Sequence, residues 1–131
     1  MQHPYSLSKA ERLTGEKNVK HLFEDGKSLI AFPLRIVFLS DSNQKEPIKV
    51  LFSVPKRRFK RANKRNLLRR RMKEAYRMNK QLLHDAVMQP ASTQTIAFTY
   101  IANELYPYEM IEKKMQEAMH ALQSIWAKNS A

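Results

Sequence analysis

The chain has 131 residues, 43% of them apolar, two glycines, no cysteine and a formal charge of +12. That length and apolar content suit one folded domain spanning residues 1–131 and exclude a disordered basic tail. The missing cysteines exclude a disulfide framework and thiolate metal sites, and the two glycines exclude a Gly-rich phosphate loop.

Leu13 to Asp25 reads as a short helix, with Val19, Leu22 and Phe23 at helical spacing and Asp25-Gly26 as a stop. A weak strand follows over Lys27 to Ala31. Phe32 to Ser40 and Ile48 to Val54 are rich in β-branched and aromatic residues and read as strands. The intervening DSNQKEP has turn composition, so these two strands are expected to form a hairpin. Pro55 ends the second of them, because it lacks an amide proton for the ladder.

A long helix is predicted from about Ala62 to Val87. Leu68, Met72, Ala75, Asn79, Leu82 and Ala86 align on one face, and Arg69, Arg70, Lys73, Arg77 and Lys80 fall elsewhere. Gln89-Pro90-Ala91-Ser92 breaks the pattern, and Thr95 to Ile101 reads as a further strand. After Tyr106-Pro107 a last helix carries the stripe Ile111, Met115, Ala118, Leu122 and Ile125. The expected fold is a mixed α/β (α+β) structure, a single small mixed sheet of about four strands packed by three helices.

The charge is not spread along these elements. Residues 56 to 80 carry thirteen Lys or Arg against the single acid Glu74, a local charge of +12, and the other 106 residues balance. Arg offers a planar fork for phosphate oxygens and Lys a compact point charge. A merely solvated helix face would interleave acids for pairing four residues apart, and only Glu74 is present. A membrane-surface helix would need an exposed apolar face, which the core claims here. No apolar run is long enough to span a bilayer, and MQHPYSLSKAERL has no secretory stretch, so a cytoplasmic nucleic-acid binder is expected.

Phe23, Phe32, Phe38, Phe52, Phe98 and Tyr100 supply core packing or stacking surfaces for unpaired bases. For Phe38, on one strand face with Leu34 and Ile36, alternation does not say which face is covered, so both readings stay open. His3, His21, His84 and His120 lack metal-ligand spacing, and the twelve acids show no close pair suited to hydrolysis. No Ser/His/Asp grouping exists either, so the chemistry is expected to reside in an RNA or another subunit. A non-enzymatic RNA-binding module, such as a ribosome-associated protein, is the alternative. A sequence-specific DNA reader fits less well, since its recognition helix presents residues to base edges from a compact helical domain.

The segment SVPKRRFKRANKRNLLRRRMKEAYR resembles the central motif of the protein subunit of bacterial ribonuclease P. Ser53-Val54-Pro55-Lys56-Arg57 matches the family's strand end and basic pair. Ala62, Arg65, Asn66, Arg69, Arg70 and Lys73 match its Arg-Asn-Arg helix in register, with Ala75-Tyr76 following. Phe23 and Gly26 match more loosely. The resemblance implies a left-handed β-α-β crossover around the long helix. It also implies a catalytic RNA as partner, with Mg2+ at the RNA active site and no cofactor on the protein alone, and precursor tRNA as substrate. Lys56, Arg57, Arg61, Arg65, Asn66, Arg69, Arg70, Lys73 and Arg77 would then face RNA. Phe23, Phe38 and Ser53 would line a cleft for the single-stranded 5′ leader, with Val19 where a second aromatic is usual. Leu67 replaces the motif's last arginine, and Arg71, one turn on, is expected to supply the missing charge.

Overall fold

A computed structural model describes residue 7 and residues 9–40, 47–86 and 93–129. The turn DSNQKEP (all but Pro47), the Gln89–Ser92 break, His3 and Val87 therefore lie outside the described residues.

After a 3-10 turn at Lys9–Glu11, the chain runs beside the third strand. Arg12 bridges Val50, and the Leu13 amide donates to the Val50 carbonyl at 2.8 Å. Leu13 is thereby taken out of the first helix. That helix, α1 (Glu16–Asp25), starts after Gly15, whose φ of 93° suits a residue without Cβ, and the Val19 amide donates back to the Gly15 carbonyl. At the other end a Cβ on Gly26 would collide with the Leu22 carbonyl and reach 2.9 Å from Val37 Cγ1. Glycine at that position lets α1 close onto the sheet.

The sheet comprises β1 (Lys27–Ala31), β2 (Leu34–Ser40), β3 (Ile48–Ser53) and β4 (Gln94–Tyr100), in the order β1-β2-β4-β3. β1 and β2 form a hairpin around Phe32-Pro33, β2 and β4 are antiparallel, and β4 and β3 are parallel. The expected hairpin between β2 and β3 does not form, because β4 lies between them. Residues Thr93 to Phe98 are buried without interruption, whereas β3 alternates between buried and half-buried. A strand apolar on both faces belongs at the centre, and one with a half-polar face tolerates the edge.

Two helices follow β3, α2 (Ala62–Asn79) and α3 (Gln81–Ala86), before β4 completes a parallel crossover. The last helix is α4 (Tyr108–Asn129). The single helix expected from 62 to 87 is split at Lys80, so four α-helices replace three. Lys80 turns inward, its Nζ donating to Glu11 Oε1 and Oε2 at 2.9 and 3.0 Å, with both side chains about nine-tenths buried. The apolar register shifts by one residue at that point, so Leu83 is fully buried and Leu82 only partly.

The sheet is covered on both faces. On one, Leu34, Ile36 and Phe38 of β2, with Val50, Phe52, Ile96 and Phe98, pack against Leu68, Met72 and Tyr76 of α2 and Ile111, Met115 and Leu122 of α4. Phe52 stacks on Phe98 at 5.6 Å, and Tyr76 meets both rings edgewise or tilted at 5.7 Å. Full burial of each such side chain contributes about 1.5–3 kcal/mol. Asn79 is polar within this contact and is satisfied by it: its amide donates to Glu112 at 3.0 Å and its oxygen accepts from Gln116 at 3.0 Å. On the other face Leu13, Val19 and Leu22 cover Val37, Leu39, Leu51 and Ala97.

Candidate RNA interface

Because Leu68, Met72 and Ala75 face the sheet, Asn66, Arg70, Lys73 and Arg77, at three- and four-residue spacing, form the outward ridge of α2. Lys56, Arg57, Lys60 and Arg61 are exposed on the connection leading into the helix. This end of α2 is built against ordinary helix chemistry. Arg61 occupies the N-cap without a side-chain cap bond, and the first turn has no acid. Uncapped amides and the positive end of the helix dipole sit among cations, an arrangement that an approaching phosphate relieves.

Several predicted phosphate contacts also shape the protein. Arg65 Nη1 donates to the carbonyls of Phe59 and Lys60, both at 2.8 Å, and so holds the basic connection against the helix. Arg69 donates to Asn66 Oδ1, which orients both side chains along the ridge. Arg77 makes a forked pair with Glu74 at 2.6 and 3.1 Å, and that hydrogen bonding holds the Glu74 carboxyl below its usual range. Arg71 Nη1 donates to the Tyr106 carbonyl at 2.6 Å, so the guanidinium clips α2 to the β4–α4 connection while keeping its charge. Lys80, inside the basic segment, is withdrawn by Glu11.

The strand register defines the face that carries α1. Directly opposed residues point the same way, so three rows cross the sheet: Leu39–Thr95–Lys49, then Ser28–Val37–Ala97–Leu51, then Ile30–Arg35–Thr99–Ser53. The apolar contacts of α1 fall on the first two rows. The third is not covered by the α1 contacts, with Ile30 66% exposed, Arg35 exposed, and Thr99 and Ser53 partly buried. Ser53 is on this face, and Phe23, four residues after Val19 on the same flank of α1, is 44% exposed.

Phe38 is a correction to the sequence reading. It is 7% exposed and lies with Leu34 and Ile36 in the core under α2 and α4, on the opposite side of the sheet from Ser53 and α1. Alternation groups Phe38 with Leu34 and Ile36 but is silent on which group meets α1. For the same reason the sequence reading passed over Arg35, Val37 and Thr99, whose signal is the strand register.

The family model for ribonuclease P matches residues 7–123. This chain belongs to the ribonuclease P protein family. The ribonuclease P protein component of Porphyromonas gingivalis is 38% identical over 116 residues, covering 88% of this chain and 85% of the relative. That of Chlorobium phaeobacteroides is 33% identical over 129 residues, covering 90% and 88%. The fold is that of solved ribonuclease P proteins. The Staphylococcus aureus protein superposes with a TM-score of 0.71 at 14% identity, over 87% of this chain and 96% of that one. The Thermotoga maritima protein superposes with a TM-score of 0.67 at 19% identity, over 83% and 94%. Among the described residues of this ribonuclease P protein, no three His, Asp or Glu side chains converge as metal ligands. No helix among them is long and apolar enough to cross a membrane.

Proposed function

We propose that this ribonuclease P protein, a subunit of an endoribonuclease holoenzyme, uses two surfaces for two RNAs. The ridge Asn66, Arg70, Lys73 and Arg77, with Lys56, Arg57, Arg61, Arg65 and Arg69, docks on the ribonuclease P RNA. The α1 face, from Phe23 across to Ser53, receives the single-stranded 5′ leader of precursor tRNA. The observation that carries this reading is that β3 and its basic continuation join the two surfaces directly. Ser53 ends the strand on the uncovered row, and Lys56 and Arg57 follow within four residues. An RNA held by α2 therefore brings its substrate to the edge of the α1 face.

In this reading the protein positions phosphates and moves no proton. Magnesium is held by the RNA and the substrate phosphates, leader removal leaves the mature tRNA 5′ end, and the work is cytoplasmic. A ribosome-associated module would share the cations, but the family match along most of the chain favours ribonuclease P. The test is reconstitution with a bacterial ribonuclease P RNA at low magnesium. Faster leader removal than by the RNA alone is expected. No enhancement, with tight binding to some other RNA, would overturn the proposal.

A further inference from the structure

The four strands contain no Asp or Glu, while Lys27, Arg35 and Lys49 lie on them. Of these, Arg35 stands in the row that α1 leaves bare, between Ile30 and Thr99. It is exposed and makes no hydrogen bond or ion pair among the described residues. The acids at the end of α1 are engaged within their own helix: Glu24 lies 3.8 Å from Lys20, and Asp25 lies 2.8 Å from His21. Thr99 adds a second, independent feature. Its Oγ1 is shielded from solvent yet has no hydrogen-bond partner, an unusual state for a buried hydroxyl.

We propose that Arg35 and Thr99 form a phosphate-binding rung for the precursor tRNA leader. This rests on the leader-binding reading above and names its contact. The guanidinium holds a backbone phosphate in its planar fork. The Thr99 hydroxyl donates to the same group as Arg35 turns toward it, and Ile30 offers apolar surface to the adjacent ribose or base. Four strands place the row over about 14 Å, enough for a short run of extended single strand.

The experiment uses the reconstituted holoenzyme, with precursor tRNAs whose leaders are shortened one nucleotide at a time and with mature tRNA. Arg35→Ala is expected to weaken binding of long-leader precursor about five- to tenfold and to reduce the salt slope by about 0.7. The loss should vanish once the leader is too short to reach the row, and Arg35→Lys should recover part of it. Thr99→Val, which keeps the shape, should cost about twofold. Equal loss on mature tRNA, or no loss with long leaders, would overturn the role of Arg35; parent-like affinity of Thr99→Val would remove Thr99 from the rung. Should the leader-binding reading itself be wrong, the parent holoenzyme would bind precursor and mature tRNA alike at every leader length. Urea melts of each variant check that this exposed position leaves folding intact.

Discussion

Arg71 and the tyrosines around it join α2 to the β4–α4 connection. Arg71 reaches the Tyr106 carbonyl, while the Tyr100 hydroxyl donates to the Glu104 carbonyl at 2.5 Å and accepts the Tyr106 amide at 3.1 Å. Arg71→Ala is expected to lower the unfolding free energy by about 1–2 kcal/mol, since a partly buried charged donor is lost. A salt slope of RNA binding equal to that of the parent would show that Arg71 acts through this clip and not as the charge missing at Leu67. Urea melts and a salt titration check the two halves. Burial raises the hydroxyl pKa of Tyr76 and Tyr100 and pushes that of Tyr108 up to about 12. The unfolded chain therefore loses these protons first, near pH 10. The stability they contribute is whole below that pH and is lost as pH rises from about 10 through 12. Urea midpoints measured across that window should fall together with the onset of tyrosinate absorbance. At this scale the motif could name the arginines but not their partners, because Tyr106 lies 35 residues from Arg71.

At the level of elements, α2 is the least self-sufficient helix at its start. An N-cap Arg61 with neither a side-chain cap nor an acid in the first turn sacrifices helix stability for cation density. Arg61→Asp supplies the missing cap and should raise stability by about 1 kcal/mol. It should also weaken binding to ribonuclease P RNA, so opposite signs in a urea melt and an RNA titration are the expected outcome. The helices themselves were readable from apolar spacing, including the α4 stripe, of which Ile111, Met115, Ala118 and Leu122 are fully buried. The strands were readable as segments but not as neighbours. Turn composition marked a reversal after Ser40, yet β4, arriving more than 50 residues later, takes the place beside β2. Phe38 was misassigned for a related reason, since period-two alternation sorts residues into two faces without naming what covers either.

Across the whole molecule, one buried ion pair ties the N-terminal turn to the α2–α3 junction. Glu11 and Lys80 lie 69 residues apart, and His84 approaches the same carboxylate at 3.8 Å. Glu11→Gln leaves the Lys80 charge buried without its countercharge and is expected to cost about 3–5 kcal/mol. Denaturant melts at neutral pH read that loss; Lys80→Met should cost a similar amount because it strands the Glu11 carboxylate, and the double variant Glu11→Gln/Lys80→Met, which removes both charges, should be milder than either. The sequence by itself determined the class of fold, the helical segments though not the break at Lys80, the basic segment and, through Lys56, Arg57, Arg65 and Asn66, the family. Those features rest on local spacing and composition, which neighbouring residues carry. Only the tertiary structure decided which cations remain available to RNA, withdrawing Lys80 into a buried ion pair with Glu11. It also decided that Arg35, not Phe38, lies on the α1 face. Both outcomes depend on strand order and on partners tens of residues away, and no local pattern encodes them.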